Sequence, residues 1–596
     1  MADSPKSSMN RRLAIASLDG KCSALTSDCV VSIKWLTTKR MLSLFSDFCI
    51  LLSKLSLPGK MYFLHALTTL SLIAFSHAAA VIQGNCTSSD SALNWLSHHL
   101  SSASAISCLG SPLQQHNAGR YWGSQFGKNA SVVVYPGSTQ DVSYTVQAAN
   151  RSPLGADFAI VGGAHSQINA SSAYGFVVDL SWMNKTHIVH NFPSSNGSSI
   201  TAIQYEGGAN WGQVQTAVNG SGCTPVGARV ANVGAGGFSL GGGIGFLAGA
   251  YGYAVDRLVQ LEVVLPSDGR IVTATRNNSY NDLFWAFQGG SGQFGIVTRF
   301  WQEAAPEPQA STIGFYYIND EDVDRLRNNT VDFFEHNDDP FSVVYYSFGF
   351  LPSSLVDPVP PPSSYASRTL LIALHFGDPT NANQKGYNET FAGVLSGINT
   401  TNSVVQTTPY YADLVEIGGA AYPYGFRRGF YGPQTTKISV DYLTNLTDTM
   451  NAYISALQAR GEHPYSASFV MQYMYPGLNG HLPPSDEATA WPHSVAGHQT
   501  LFTPAYLNAT DDDLTLQYTD LINQVTYDRQ KQLGEFLGDY PNYISPGVSG
   551  HRVWGENVKR LQQVKQKYDP GCLIRNGRVF ASYGCIEGGW ANVFAE

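Results

Sequence analysis

The chain has 596 residues, 43% of them hydrophobic and 12% aromatic, enough to bury a large core in more than one lobe and too apolar for a disordered chain. Its formal charge is −9 and only 13% of its residues are charged. With no basic cluster comparable to a phosphate-backbone footprint, the balance argues against a nucleic-acid partner.

In chain order, Lys60 and Met61 precede an apolar run from Leu64 to Ala80 that ends in small residues. This is the pattern of a secretory signal peptide displaced from the amino end, and the run is short for a bilayer span. It predicts translation from Met61, residues 1–60 being an extended gene model or disordered leader, 61–80 a cleaved signal, and the product secreted with no membrane attachment after cleavage. Sequons at Asn85, Asn129, Asn150, Asn169, Asn184, Asn196, Asn219, Asn277, Asn328, Asn388, Asn399, Asn445 and Asn508 fit an exported glycoprotein. Beyond Ala80 the cysteines are Cys86, Cys108, Cys223, Cys572 and Cys585, an odd set, for which Cys86–Cys108 and Cys572–Cys585 are the favoured local pairs.

From Ser131 to Asp179 the pattern is strand, helix, strand. Val132 to Tyr135 is an apolar run, Pro136-Gly137 turns, Thr139 opens a helix through Ala149, and strands follow at Asp157–Ile160 and Val177–Leu180. A strand over Ile200–Tyr205, a helix from Trp211 and a strand over Leu258–Leu265, closed by Pro266-Ser267-Asp268-Gly269, continue the mixture. After Pro306, strands at Ile313–Tyr317, Val343–Gly349 and Leu370–His375 alternate with helices at Glu321–Phe334 and Gln384–Leu395. Pro358–Ser364 is a surface loop, Ser466–Tyr475 alternates as a long strand, and Trp554–Asp569 forms a helix that Pro570 stops. The fold class is therefore α+β.

Two glycine-rich stretches organise this sequence: Val161-Gly162-Gly163-Ala164-His165-Ser166, directly after a strand, and Gly234 to Gly245. Such runs bring bare backbone N–H groups close to a ligand rich in acceptor oxygens. Neither matches the G-x-G-x-x-G turn of a nicotinamide Rossmann site. There is no Gly-x-Ser-x-Gly elbow, and His481, His493 and His498 lack a metal-ligand spacing and read as loop histidines, so no metal is predicted.

Together with Phe284 to Thr298, which contains Gln288-Gly289-Gly290-Ser291-Gly292 and Gly295-Ile296-Val297, and with Tyr540-Pro541-Asn542-Tyr543, these stretches resemble the berberine bridge enzyme type of flavoprotein oxidase, in the vanillyl-alcohol oxidase (PCMH-type FAD-binding) superfamily. The resemblance runs from about Tyr121 to Val579. It implies a two-part FAD-binding lobe, residues 81–307 and 536–596, with an inserted α+β substrate lobe, 308–535, built on an antiparallel sheet. It also implies FAD held along Val161, Gly162, Gly163, Ala164, Ser166, Val233, Gly234, Gly236, Gly237, Gly241, Gly242, Gly295 and Val297, with His165 bonded to the flavin 8α-methyl. Family members with a second flavin bond carry Cys-Pro-Thr-Val-Gly where this chain reads Val230-Ala231-Asn232-Val233-Gly234. Val230 cannot form a thioether, so a single covalent link is expected, and Cys223 is not promoted to the role. Val233 falls where the family places an oxygen gate, which favours an oxidase.

Tyr543 matches the final tyrosine of the family's Tyr-x-Asn-Tyr sequence and is the candidate base. Its unshifted pKa near 10 requires a cation or hydrogen bonds to bring it into use. Tyr540 is the second candidate, although strand alternation sends the two rings to different faces. Gln472, Tyr473 and Tyr475 are further candidates for the substrate side. The expectation is an FAD-dependent oxidase that takes hydride from an alcohol, sugar or specialised-metabolite C–H and passes the electrons to dioxygen. The partners are then a small molecule and dioxygen. A dehydrogenase, an amine oxidase or a secreted non-catalytic binding protein of the same fold remain open.

Overall fold

The computed structural model describes residues 80–576 except 169, 195–196, 354–363, 379–380, 421–423 and 462–465, with backbone alone at 417–420 and 479. The predicted leader and signal peptide, most of the Pro358–Ser364 loop, Asn169, Asn196 and Cys585 lie outside the described residues.

The fold is α+β, built on three main sheets. The first runs Val81–Gln83, Ala105–Cys108, Val132–Tyr135, Phe176–Asp179, Phe158–Val161, and only its second and third strands pair antiparallel. Val132 to Tyr135 are buried throughout, which is why that segment is an unbroken apolar run rather than an alternation. Helix Thr139–Ala149 is opened by Ser138, whose hydroxyl accepts the Asp141 N–H at 3.2 Å. Its Val142 and Val146 face the core beneath this sheet. The second sheet, Ile271–Ala274, Leu258–Val264, Ile296–Glu303, Ser199–Glu206, Thr186–Pro193, is wholly antiparallel.

The largest sheet is antiparallel and runs Thr400–Thr408, Ala310–Ile318, Ala366–Gly377, Ser342–Leu351, Ser466–Gln472, His498–Tyr506, Arg427–Arg428. Period-two alternation divides its side chains. Val344, Tyr346, Leu371, Ala373, Phe469 and Met471 share a core with helices Val323–His336, Val440–Ala459 and Asp512–Leu533. The residues between them, such as Tyr345, Leu370, Ile372, Leu374 and Val470, join the core that contains the second glycine stretch.

After Gly534 the chain packs back on the first two sheets. Helix Val558–Tyr568 buries Leu561 and Val564. The Lys565 ammonium, wholly buried, donates to Asp569 Oδ2, Gln293 O and Ile574 O, each at 2.6 Å, and Asn576 donates to Asp157 Oδ1 at 2.9 Å. Cys86 and Cys108 form the expected disulfide, with Cα atoms 5.5 Å apart, and Cys223 is free.

Three expectations need correction. The helix expected over Gln384–Leu395 is only Tyr387–Phe391, since Gly386 and Gly393 bound it and glycine is a poor helix former. The strand expected to Tyr475 stops at Gln472. His498 is no loop residue: it begins strand His498–Tyr506, is buried, and stacks on Tyr473 at 5.6 Å. His493 is also packed, paired with Asp256 at 2.9 Å and stacked on Trp491 at 4.3 Å.

Candidate functional site

A cavity of about 440 Å³ lies where the two glycine stretches, the Tyr540–Tyr543 segment and the large sheet meet. Its walls include Gly162, Gly163, Ala164, His165 and Ser166 from the first stretch and Val233, Gly234, Gly236 and Gly237 from the second. Gly295 and Val297, and Tyr540 and Tyr543, complete the predicted set found there. Of the predicted cofactor residues, Val161, Gly241 and Gly242 stand behind that lining. Val161 is buried at the end of its strand, Gly241 abuts Asn542, and Gly242 abuts Trp491 and Tyr540.

The glycines have separate steric reasons. A Cβ on Gly163 would lie 2.2 Å from the Gly234 nitrogen, and one on Gly234 would lie 2.4 Å from the Gly163 nitrogen. The two stretches, remote in sequence, thus touch backbone to backbone. Gly237, in contrast, has nothing within 4 Å of its would-be Cβ and borders the cavity. A side chain there would take up cavity space and not meet protein. Backbone-lined room of this kind suits the diphosphate and flavin edge of FAD. Gly234 also opens a short helix, Ala235–Leu240.

Ala164 holds the left-handed φ of 55°, uncommon for a residue with a Cβ and a form of local strain found at functional sites. Next to it, His165 stacks on Trp122 with centroids 4.6 Å apart, and its Nε2 lies 2.9 Å from Asn232 Oδ1. The Arg428 guanidinium sits 4.9 Å from the Trp122 ring. Burial drives the His165 pKa down to about 3; the Asn232 bond opposes this and the nearby Arg428 charge adds to it. The imidazole is neutral, and because Asn232 Oδ1 can only accept, Nε2 carries the proton and Nδ1 keeps its lone pair.

At the other end, Tyr540 and Tyr543 do not point to different faces. Pro541-Asn542 forms a turn in which the Tyr543 N–H donates to Tyr540 O at 2.9 Å, so strand alternation does not apply. The rings meet edge to face, 4.7 Å apart. Their hydroxyls have different surroundings. Tyr540 Oη accepts from the Gly243 and Ile244 N–H groups and from Asn542 Nδ2, each at 3.0 Å. Burial pushes its pKa up to about 12.

Tyr543 Oη accepts from Arg229 Nη2. Arg229 also donates from Nη1 to Tyr345 Oη at 2.9 Å and to Gln472 Oε1. Burial opposes the Arg229 charge, but the surrounding tyrosine oxygens outweigh it and its pKa stands above the ordinary value. Burial holds the Tyr543 pKa above its ordinary value, and Arg229 offsets only part of that rise. Sequence reading missed Arg229; the one signal was a lone cation immediately before Val230. Gln472 reaches the site only through Arg229. Tyr473 points away, bonding Asn337 and packing on Phe333 and Phe334, and Tyr475 does not line the cavity.

Residues 130–275 match the FAD binding domain family and residues 505–576 the berberine and berberine-like family. An uncharacterised FAD-linked oxidoreductase of Bacillus subtilis (strain 168), YgaK, is 28% identical over 454 residues, 74% of this chain and 89% of the relative. The FAD-dependent monooxygenase sdcF of Emericella nidulans is 27% identical over 482 residues, 76% of this chain and 92% of its own length. Among solved structures, the glucooligosaccharide oxidase of Acremonium strictum, which carries a 6-S-cysteinyl, 8α-N1-histidyl FAD, superposes with a TM-score of 0.58 at 18% identity, over 77% of this chain and 93% of that one. That likeness is one of fold. With both present in order around one glycine-lined cavity, the chain carries the FAD binding and berberine-like domains found in FAD-linked oxidoreductases.

Proposed function

We propose that this protein is an oxidase whose FAD is bonded once, through His165, and whose base is Tyr543. Bound FAD would supply the hydride acceptor and return two electrons to dioxygen, which with two protons leaves as hydrogen peroxide. The chain's part is to hold and orient. The residue-lined room from Gly162 to Ser166 and from Gly234 to Gly237 fits the cofactor, and the neutral His165 offers Nδ1 for the link. Val230 offers no sulfur for a second. Val233 borders the cavity and leaves the smallest branched wall for dioxygen to pass.

Substrate oxidation breaks one C–H and one O–H bond. The hydride leaves carbon with its electron pair, the proton goes to Tyr543 Oη, and a C=O bond forms. The observation that carries this reading is the guanidinium of Arg229 on the Tyr543 oxygen, which offsets part of the rise that burial imposes on the Tyr543 pKa. In an anaerobic rapid-mixing experiment, Tyr543→Phe is expected to keep its FAD while flavin reduction slows roughly 10²–10⁴-fold. Reduction at the wild-type rate removes Tyr543 from the mechanism.

The name of sdcF supports a second reading, monooxygenation. Oxygen-18 in the product supports it, whereas one peroxide per substrate supports the oxidase.

We also hold the protein to be secreted after cleavage near Ala80. Supporting this, the described sequon asparagines Asn85, Asn129, Asn150, Asn184, Asn219, Asn277, Asn328, Asn388, Asn399, Asn445 and Asn508 are all exposed. Amino-terminal sequencing and intact mass of material from a secreting host test it; an unglycosylated product beginning at Met1 contradicts it.

A further inference from the structure

The cavity wall opposite the glycine stretches is one face of the large sheet, and its register lays the side chains out in rows. One row reads Phe315, Ile372, Tyr345, Gln472 across four strands, and Arg229 caps its Tyr345–Gln472 end. The next reads Tyr317, Leu370, Ser347, Val470, Leu501. The rows lie about 7 Å apart, and neighbouring strands about 4.8 Å. Between Leu370 and Leu501 this makes a broad wall that is mostly aliphatic.

The hydroxyls of Ser347, Ser468 and Thr503 on this wall are engaged within the sheet. Ser347 Oγ donates to Phe469 O at 3.0 Å, Ser468 Oγ meets Thr503 Oγ1 at 2.8 Å, and Thr503 Oγ1 donates to Ser468 O at 3.1 Å. No aspartate or glutamate lines the cavity among the described residues. Arg229 forms no ion pair among them; its partners are two phenols and an amide. An acidic oxygen on a ligand would give this guanidinium a further, charge-assisted hydrogen bond. A sugar, with a hydroxyl on most carbons, would leave those groups unpaired against aliphatic carbon.

We propose that the substrate is a flat, largely apolar molecule, aryl or fused-ring, bearing one acidic hydroxyl, phenol or enol, that docks on Arg229, with its body laid along the Leu370–Leu501 wall. Free sugars are not substrates. The proposal rests on the oxidoreductase reading of this cavity and names the class of molecule that enters it.

Isothermal titration calorimetry on the full purified chain tests it with three probes: 2-naphthol, 2-methoxynaphthalene and cellobiose. The wild-type protein should bind 2-naphthol about ten-fold or more tightly than either of the others. The comparison of hydroxyl with methoxy needs no variant, so it stands if Arg229 variants fail to fold. Where they fold, Arg229→Gln should remove the preference for 2-naphthol over 2-methoxynaphthalene, Arg229→Lys should keep part of it, and Leu501→Asn should weaken both naphthalenes. Cellobiose binding as tightly as 2-naphthol, or equal affinity for the two naphthalenes, overturns the proposal. Flavin absorbance of the same sample is read separately. Absence of flavin counts against the oxidoreductase reading, while the order of the three affinities still decides this one.

Discussion

The two ends of the cavity place charge in opposite ways. At one end an imidazole is kept neutral: His165 lies in a low-dielectric pocket, sandwiched against Trp122 with Arg428 beyond, and its pKa falls to about 3. At the other, the half-buried guanidinium of Arg229 stays charged at the cavity wall, because phenol oxygens converge on it. Burial acts at both ends; the difference lies in which partner it leaves beside the group. A neutral imidazole keeps a lone pair for a covalent bond, and a cation beside a buried phenol offsets part of what burial costs the phenolate. On the proposed reading, His165 serves as the nucleophile toward the flavin and Tyr543 as the base.

Removing the groups one at a time breaks this comparison in graded steps. The largest effect is at the neutral end. His165→Ala should abolish covalent flavin, seen as loss of flavin fluorescence from the denatured protein on a gel. In the wild type, proteolysis should yield one flavinylated peptide, containing His165, and none containing Cys223. Next is Tyr543→Phe, with the slowing given above. Asn232→Val removes the acceptor that assigns the His165 proton to Nε2, and covalent incorporation should slow about five-fold, the worth of one hydrogen bond, as followed by acid-precipitable flavin over time. Tyr540→Phe should leave reduction rates nearly unchanged. It deprives the Gly243 and Ile244 N–H groups of their acceptor and should lower stability by about 1–3 kcal/mol in urea unfolding.

Much of this was legible in the sequence because the signals were local. The Val132–Tyr135 run, the Ser138-capped helix and the Cys86–Cys108 pair each depend on neighbours within a short span. The glycine stretches announced a ligand, though only the fold shows that Gly163 and Gly234 need the same missing Cβ. Arg229 was not legible. Its partners Tyr345, Gln472 and Tyr543 come from two strands and a distant turn, and nothing periodic links them along the chain. The two tyrosines were misread for a simpler reason. Alternation was applied to a segment that Pro541 turns, and proline at that position was the readable sign.

The central claim is that Arg229 makes Tyr543 a usable base, and the pH dependence of anaerobic flavin reduction tests it most directly. Only the deprotonated Tyr543 accepts a proton, so the rate should rise with pH through its pKa and then level. Burial sets that pKa above the ordinary value, and Arg229 offsets part of the rise. Arg229→Gln should therefore move the rise to higher pH and slow reduction at neutral pH roughly ten- to hundred-fold, with the plateau at high pH largely restored. A profile that keeps its wild-type midpoint in Arg229→Gln, with the rate lowered equally at every pH, would contradict the account.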